Sequence, residues 1–125
     1  MSSVLVADDS EVMRRAICTQ LIDNGIENVS EAVDGFEAIA KTLTTDPDLV
    51  ILDIAMVRLN GIDTLKELRK LRPNLPVIVH TQYAEALHKV RGVSKGPTQV
   101  VAKGNPLLPV VLSLIASTVS RHQSH

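Results

Sequence analysis

Leu49-Val50-Ile51-Leu52-Asp53 sets four apolar residues in a row against one carboxylate. The run is short and β-branched at its centre, which predicts a strand buried on both faces. A carboxylate at the end of such a strand is carried to the edge of the sheet, not into its core. Asp53 therefore calls for partners at that edge, and the chain on either side supplies them.

Upstream, Asp46-Pro47-Asp48 separates this strand from a helical stretch. There Phe36, Ile39, Ala40 and Leu43 recur at i, i+3, i+4 and i+7 and predict the buried face. Asp34-Gly35 reads as the turn before it. In Asn28–Val33 the residues Val29, Glu31 and Val33 alternate with Ser30 and Ala32, a pattern that suits a half-exposed edge strand. Asn24-Gly25 ends an earlier helix that starts at Glu11, with Met13, Ile17 and Leu21 on its apolar face and Arg14 and Arg15 off it. Before that helix, the strand Val4–Ala7 runs into Asp8-Asp9-Ser10, whose side chains can cap it.

Downstream, a loop from Ile54 to Leu59 leads to Asn60 as N-cap, with Asp63 in the first turn and Ile62, Leu65, Leu68 and Leu71 as the core stripe. Pro76–Val79 predicts a fourth strand, ending His80-Thr81. Ala84–Val90 reads as a short helix, which Gly92 and Gly96-Pro97 make irregular. Gln99–Ala102 is a last strand and ends at Lys103. Asn105-Pro106 fits a cap and first position of a final helix, with Leu108, Val111, Leu112, Ile115 and Val119 as its core stripe. Val110 and Leu114 lie off that stripe; a partner or dimer face would use them, but a slightly wide buried face is the expected account. The tail from Ser120 is polar and reads as frayed.

Five strands alternating with five helical segments predict an α/β fold: a doubly wound parallel sheet with helices on both faces, in one domain over residues 1–125. Ligands of such sheets bind beyond the carboxyl ends of the strands. Asp8, Asp9, Asp53, Thr81 and Lys103 all stand there. Three converging carboxylates repel, and a hard cation such as Mg²⁺, which takes oxygen ligands, resolves the repulsion. With the lysine and the hydroxyl they form a site for a phosphoryl group, and Asp53 can act as nucleophile.

Composition excludes other classes. Charged residues make up 22% and the net charge is −1, so no basic surplus points to nucleic acid. Aromatics are limited to Phe36 and Tyr83, too few for a base-stacking surface. The single Cys18 rules out an internal disulfide and reads as a buried small side chain. No apolar run reaches membrane-spanning length, and cytoplasm is the default expectation. The four histidines are scattered without metal-ligand spacing.

Taken singly, Asp8 and Asp9 are cap residues, Thr81 an ordinary strand end and Lys103 a surface lysine. Together the motifs carry more. Asp8-Asp9, Asp34-Gly-Phe-Glu-Ala38, Asp53-Ile-Ala-Met56, Asn60-Gly61, Thr81 and Lys103 resemble the receiver domain of bacterial two-component response regulators. The spacings fit too: 44 residues from Asp9 to Asp53, 28 more to Thr81 and 22 more to Lys103. The resemblance implies the strand order 2-1-3-4-5 and a phosphorylation-activated signalling switch, not an enzyme beyond its own phosphorylation and dephosphorylation. It implies Asp53 as phosphoacceptor, with Mg²⁺ held by Asp8, Asp9, Asp53 and the Ala55 carbonyl. Thr81 would be the switch hydroxyl and Lys103 the site lysine. The implied partners are a histidine kinase or phosphotransfer protein and a downstream protein or fused output domain, with no nucleic acid bound directly and no membrane.

Several positions depart from the family pattern. Gln82 replaces a small residue, Gly104 replaces proline after Lys103, Val100 stands where an aromatic switch residue is common, and Val57 stands where a proline is common. These leave room for a degenerate receiver acting as a phosphorylation-independent interaction module. An Asp-nucleophile phosphatase would want a second Asp where Ala55 stands. A flavin carrier would want a phosphate loop where Asp8-Asp9 would repel it. Ala55 cannot orient an attacking water and Tyr83 could partly cover the site, so a long-lived phosphoryl group is expected.

Overall fold

The computed structural model describes residues 2–56, 59–82, 90 and 96–123. In chain order these form β1 (Ser3–Ala7), α1 (Glu11–Asp23), β2 (Asn28–Ala32), α2 (Gly35–Thr45), β3 (Leu49–Leu52), α3 (Gly61–Leu71), β4 (Val77–Thr81), β5 (Thr98–Ala102) and α4 (Leu108–Gln123). The five strands make one sheet of order β2-β1-β3-β4-β5, with every pairing parallel. The predicted architecture and strand order are those observed. The irregular helix expected at Ala84–Val90 lies outside the described residues, apart from the buried Val90, so four helices are described.

Side chains of a strand alternate between faces, and the two cores follow that alternation. Val4, Val6, Leu49, Ile51, Ile78 and Val101 meet Ile17, Cys18 and Leu21 of α1 and Val111 and Ile115 of α4. Leu5, Ala7, Val50, Leu52, Val77 and Val79 meet Ala38 of α2 and Leu65 and Leu68 of α3. Every residue of β3 is buried, as its unbroken apolar run requires. The alternating β2 is an edge strand, as read. Cys18 is buried, and burial pushes its thiol up to about 11.

The helices α2 and α3 turn their faces differently from expectation. In α2 the buried residues are Gly35, Ala38 and Thr42, whereas Phe36 and Leu43 are exposed. The reason is the close approach of α3: a Cβ on Gly35 would lie 2.1 Å from Thr64 Oγ1 and 2.6 Å from the Leu59 carbonyl. Small residues win the interface because nothing larger fits. In α3, Arg69 is buried and Leu71 is partly exposed. Arg69 donates to the carbonyls of Leu75 and Pro97, so a buried charge finds backbone acceptors.

The last helix starts later than predicted. Leu107, not Asn105, supplies the carbonyl that Val111 N–H reaches at 3.1 Å, and Pro109 sits in the first turn. Gly104 (φ 98°) turns the chain first, in a region that L side chains avoid, and the Asn105 N–H is used on the Ala102 carbonyl at 3.0 Å. Leu112 points outward, while Val110 and Leu114 pack against the core. The helix runs on to Gln123 through the stretch expected to fray. Asp34 is not only a turn residue but the N-cap of α2, accepting the Glu37 N–H at 2.8 Å. Ser10 caps α1, and Asn60 caps α3 as predicted.

Candidate functional site

The sheet ladder runs one residue beyond three strands, and that is how the site residues are placed. Asp8 N–H donates to the Ala32 carbonyl at 3.1 Å, Asp53 N–H to the Ala7 carbonyl at 2.9 Å, and Lys103 N–H to the Thr81 carbonyl at 2.7 Å. The chain leaves β1 for the edge strand β2 and returns on the other side at β3. Asp8 and Asp53 therefore meet at the point where the winding of the sheet reverses.

Asp8 and Asp53 are buried, at 2% and 4% exposure, while Asp9 is exposed. The three carboxylates bring one oxygen each to within 4.8 Å of one another. Lys103 Nζ lies 3.4 Å from Asp8 Oδ2 and 3.3 Å from Asp53 Oδ2. The other oxygens are also used: Asp8 Oδ1 accepts the Ser10 N–H at 2.9 Å, and Asp53 Oδ1 accepts the Ala55 N–H at 2.9 Å.

Electrostatics follow from that geometry. Burial raises the Asp8 carboxyl above the ordinary range, and the Asp53 charge adds to it, against the Ser10 N–H and Lys103. Burial alone would lower Lys103, but Asp53 and Asp8 outweigh it and its ammonium is held more firmly charged. The lysine thus partly compensates two buried negative charges. The remaining charge and the all-oxygen donor set suit a hard divalent cation.

The structure brings Asp8, Asp9, Asp53 and Lys103 together. Thr81 is buried at 1% exposure as the last residue of β4. Ala55 lies on the exposed side of the loop after Asp53. Among the departing positions, Gln82 is exposed, Val100 is half-buried against the core of α2 and α3, and Gly104 makes the turn after Lys103. Val57, Tyr83 and Gly92 lie outside the described residues.

Two groups near the site were not singled out in the sequence. Arg14 lies buried rather than off the face of α1, and its Nη1 donates to the Asp8 carbonyl at 2.9 Å. One arginine of the pair Arg14-Arg15 amid helical periodicity gives no signal of this. His80, preceding Thr81, is buried with no partner for Nδ1 among the described residues, and burial lowers its pKa. On the opposite rim of the sheet, a cavity is lined by Ser3, Asn28, Ser30, Asp46 and Asp48. It shares no residue with the acidic site.

The profile of the response regulator receiver domain matches residues 4–108. The chain is 33% identical over 100 residues to the chemotaxis protein CheY of Thermotoga maritima, covering 80% of this chain and 83% of that protein. It is 34% identical over 114 residues to the probable transcriptional regulatory protein TcrX of Mycobacterium tuberculosis, covering 91% of this chain but 48% of that one. It spans about a quarter, 24%, of a protein-glutamate methylesterase/protein-glutamine glutaminase of Clostridium acetobutylicum. Among solved structures, the receiver domain of the Francisella response regulator 1452 superposes with a TM-score of 0.81 at 28% identity, covering 98% of this chain and 99% of that one.

Proposed function

This chain belongs to the response regulator receiver family, and from that premise we propose that Asp53 accepts a phosphoryl group from the phosphohistidine of a histidine kinase or phosphotransfer protein. The observation that carries the reading is the Lys103 ammonium set between the buried Asp8 and Asp53 carboxylates, at 3.4 and 3.3 Å.

In the transfer, an Asp53 carboxylate oxygen forms a bond to phosphorus. The phosphorus–nitrogen bond of the donor breaks, and its electron pair leaves on the imidazole. Asp8, Asp9, Asp53 and the Ala55 carbonyl are the groups to hold Mg²⁺, which supplies positive charge against the phosphoryl oxygens. Lys103 supplies a second positive charge, already in place. Thr81 is the hydroxyl to donate to the bound phosphoryl group. That bond favours one conformation over another, which is how the mark becomes a signal.

The chain is read as one domain over residues 1–125, acting in the cytoplasm. Its chemistry extends no further than its own phosphorylation and dephosphorylation. Its output is a downstream protein or a fused domain, and its relatives include both short and long chains. No helix among the described residues is long and apolar enough to cross a membrane.

The test is incubation with Mg²⁺ and acetyl phosphate, followed by intact-protein mass. We expect a phosphoryl adduct in the wild type and none in Asp53→Asn. An unmodified wild type under acetyl phosphate, and no binding of a beryllofluoride mimic, would favour the interaction module instead.

A further inference from the structure

Arg14 takes no part in the chemistry above, yet it touches the main chain of the site. Its side chain is 9% exposed. Nε donates to Glu31 Oε1 at 2.8 Å and Nη1 to the Asp8 carbonyl at 2.9 Å. Glu31 stands on the edge strand β2 and is braced from the other face of the sheet, where Lys41 Nζ of α2 donates to its carbonyl. The guanidinium is thus paired on one side with the carboxylate of an edge-strand residue and aimed on the other at one peptide oxygen.

That oxygen belongs to the peptide joining Asp8 to Asp9. A peptide is planar, so fixing its oxygen fixes the plane that carries the Asp9 Cα. Asp8 has other restraints: its N–H is on Ala32, its Oδ1 on the Ser10 N–H and its Oδ2 near Lys103. Asp9 is the exposed member of the acidic trio. Arginine suits the task because its planar fork sends two N–H groups in set directions, which a lysine cannot do. Burying the charge is costly on its own, and the Glu31 partner offsets it without adding net charge beside the acids.

We propose that Arg14 is a positioning residue that presets the Asp9 carboxylate for a divalent cation by holding the Asp8–Asp9 peptide plane. The inference rests on the reading that Asp8, Asp9 and Asp53 hold Mg²⁺. It reaches beyond that reading by assigning part of the affinity to a residue of α1 that does not itself hold the cation.

Calorimetric Mg²⁺ titration of the unphosphorylated protein tests it, with wild type, Arg14→Lys, Arg14→Met, Asp9→Asn and the double variant Arg14→Lys/Asp9→Asn. Arg14→Lys keeps the charge beside Glu31 but loses the fork. It is expected to weaken Mg²⁺ binding about tenfold, the loss typical of removing a group that orients a metal ligand. In the Asp9→Asn background the same change should have little further effect, because the oriented ligand is gone. If Arg14→Met does not fold, Arg14→Lys carries the test. Arg14→Lys binding Mg²⁺ as tightly as the wild type would reduce Arg14 to a brace between α1 and β2 and overturn the proposal while leaving the metal site intact. Equal losses in both backgrounds would overturn it as well. A wild type that binds no Mg²⁺ would overturn the site reading and this inference together.

Discussion

β3 and β5 flank β4 in the same parallel sheet, and both deliver a residue to the acidic crevice. β3 is buried at all four positions and lies between two other strands. β5 is an edge strand with only Val101 fully buried, and Gln99 is exposed. The exits of the two strands differ in the same way. Past Asp53 the chain folds back onto the N-terminus of α3, where Gly61 N–H reaches the Ile54 carbonyl at 3.1 Å. Past Lys103 it enters a turn at Gly104, around which a Cβ would meet no atom of the described residues within 4 Å. Asp53, the proposed phosphoacceptor, sits where the backbone is closely packed, and Lys103 comes just before a turn with open space around it. A phosphorylation switch needs both: a fixed point of attachment, and a neighbour able to respond to the new charge.

Two glycines put that comparison to the test. A Cβ on Gly61 would lie 2.0 Å from the Ile54 Cα and 2.7 Å from the Asp53 carbonyl, a clash with backbone that no rotamer relieves. Gly61→Ala should cost about 3 kcal/mol of stability and slow adduct formation from acetyl phosphate, because the strain falls on the Asp53 peptide. Denaturant unfolding and the mass assay read the two effects. Gly104→Ala meets no atom of the described residues within 4 Å but must hold φ 98°. It should cost about 1 to 2 kcal/mol by backbone strain while leaving the extent of phosphorylation intact. If the two variants lost phosphorylation alike, the contrast between the strand ends would be wrong.

A smaller effect lies on the strand between them. His80 is buried with Nδ1 unpartnered among the described residues, and burial, with Lys103 adding to it, lowers its pKa. The folded protein holds the proton less well than the unfolded chain. Stability is therefore fully present above the unfolded value of 6.5 and is lost as pH falls from there through the lower folded value. His80→Val should gain about 1 kcal/mol at neutral pH by removing the orphaned polar atom. It should also lose less than the wild type between pH 7.5 and 5.5. Paired unfolding curves at the two pH values check both statements. The smallest effect on the fold is expected at Ala55, on the exposed side of the loop. Ala55→Asn should leave stability unchanged but shorten the life of the aspartyl phosphate by giving water an amide to bind, as phosphate release would show. No change in release would remove Ala55 as the cause of a long lifetime.

The legibility of the chain divides along similar lines. The β3 run, the five-strand rhythm and the acidic residues at the strand ends could all be read, because burial on both faces leaves a continuous apolar signature. The buried face of α2 could not. A helix that approaches another closely buries Gly35, Ala38 and Thr42, and leaves Phe36 and Leu43 outside where hydrophobicity says they should be inside. Arg14 was hidden for the opposite reason, since a charge on a helix reads as solvent-facing until its partners Glu31 and the Asp8 carbonyl are seen. The start of α4 slipped because Asn105-Pro106 is good capping chemistry in isolation, and only the turn at Gly104 shows that the Asn105 N–H is already spent.

Cys18 is the chain's only thiol, and the chain has no tryptophan to report on its state. Its thiol is shut between α1 and the sheet and held protonated, with a pKa of about 11. A thiol-reactive dye can reach it only when that helix lifts away. The labelling rate is then a clock for the opening of the face that carries Arg14. Timed with and without Mg²⁺, the unmodified protein can report how firmly its acidic end is tied to its first helix.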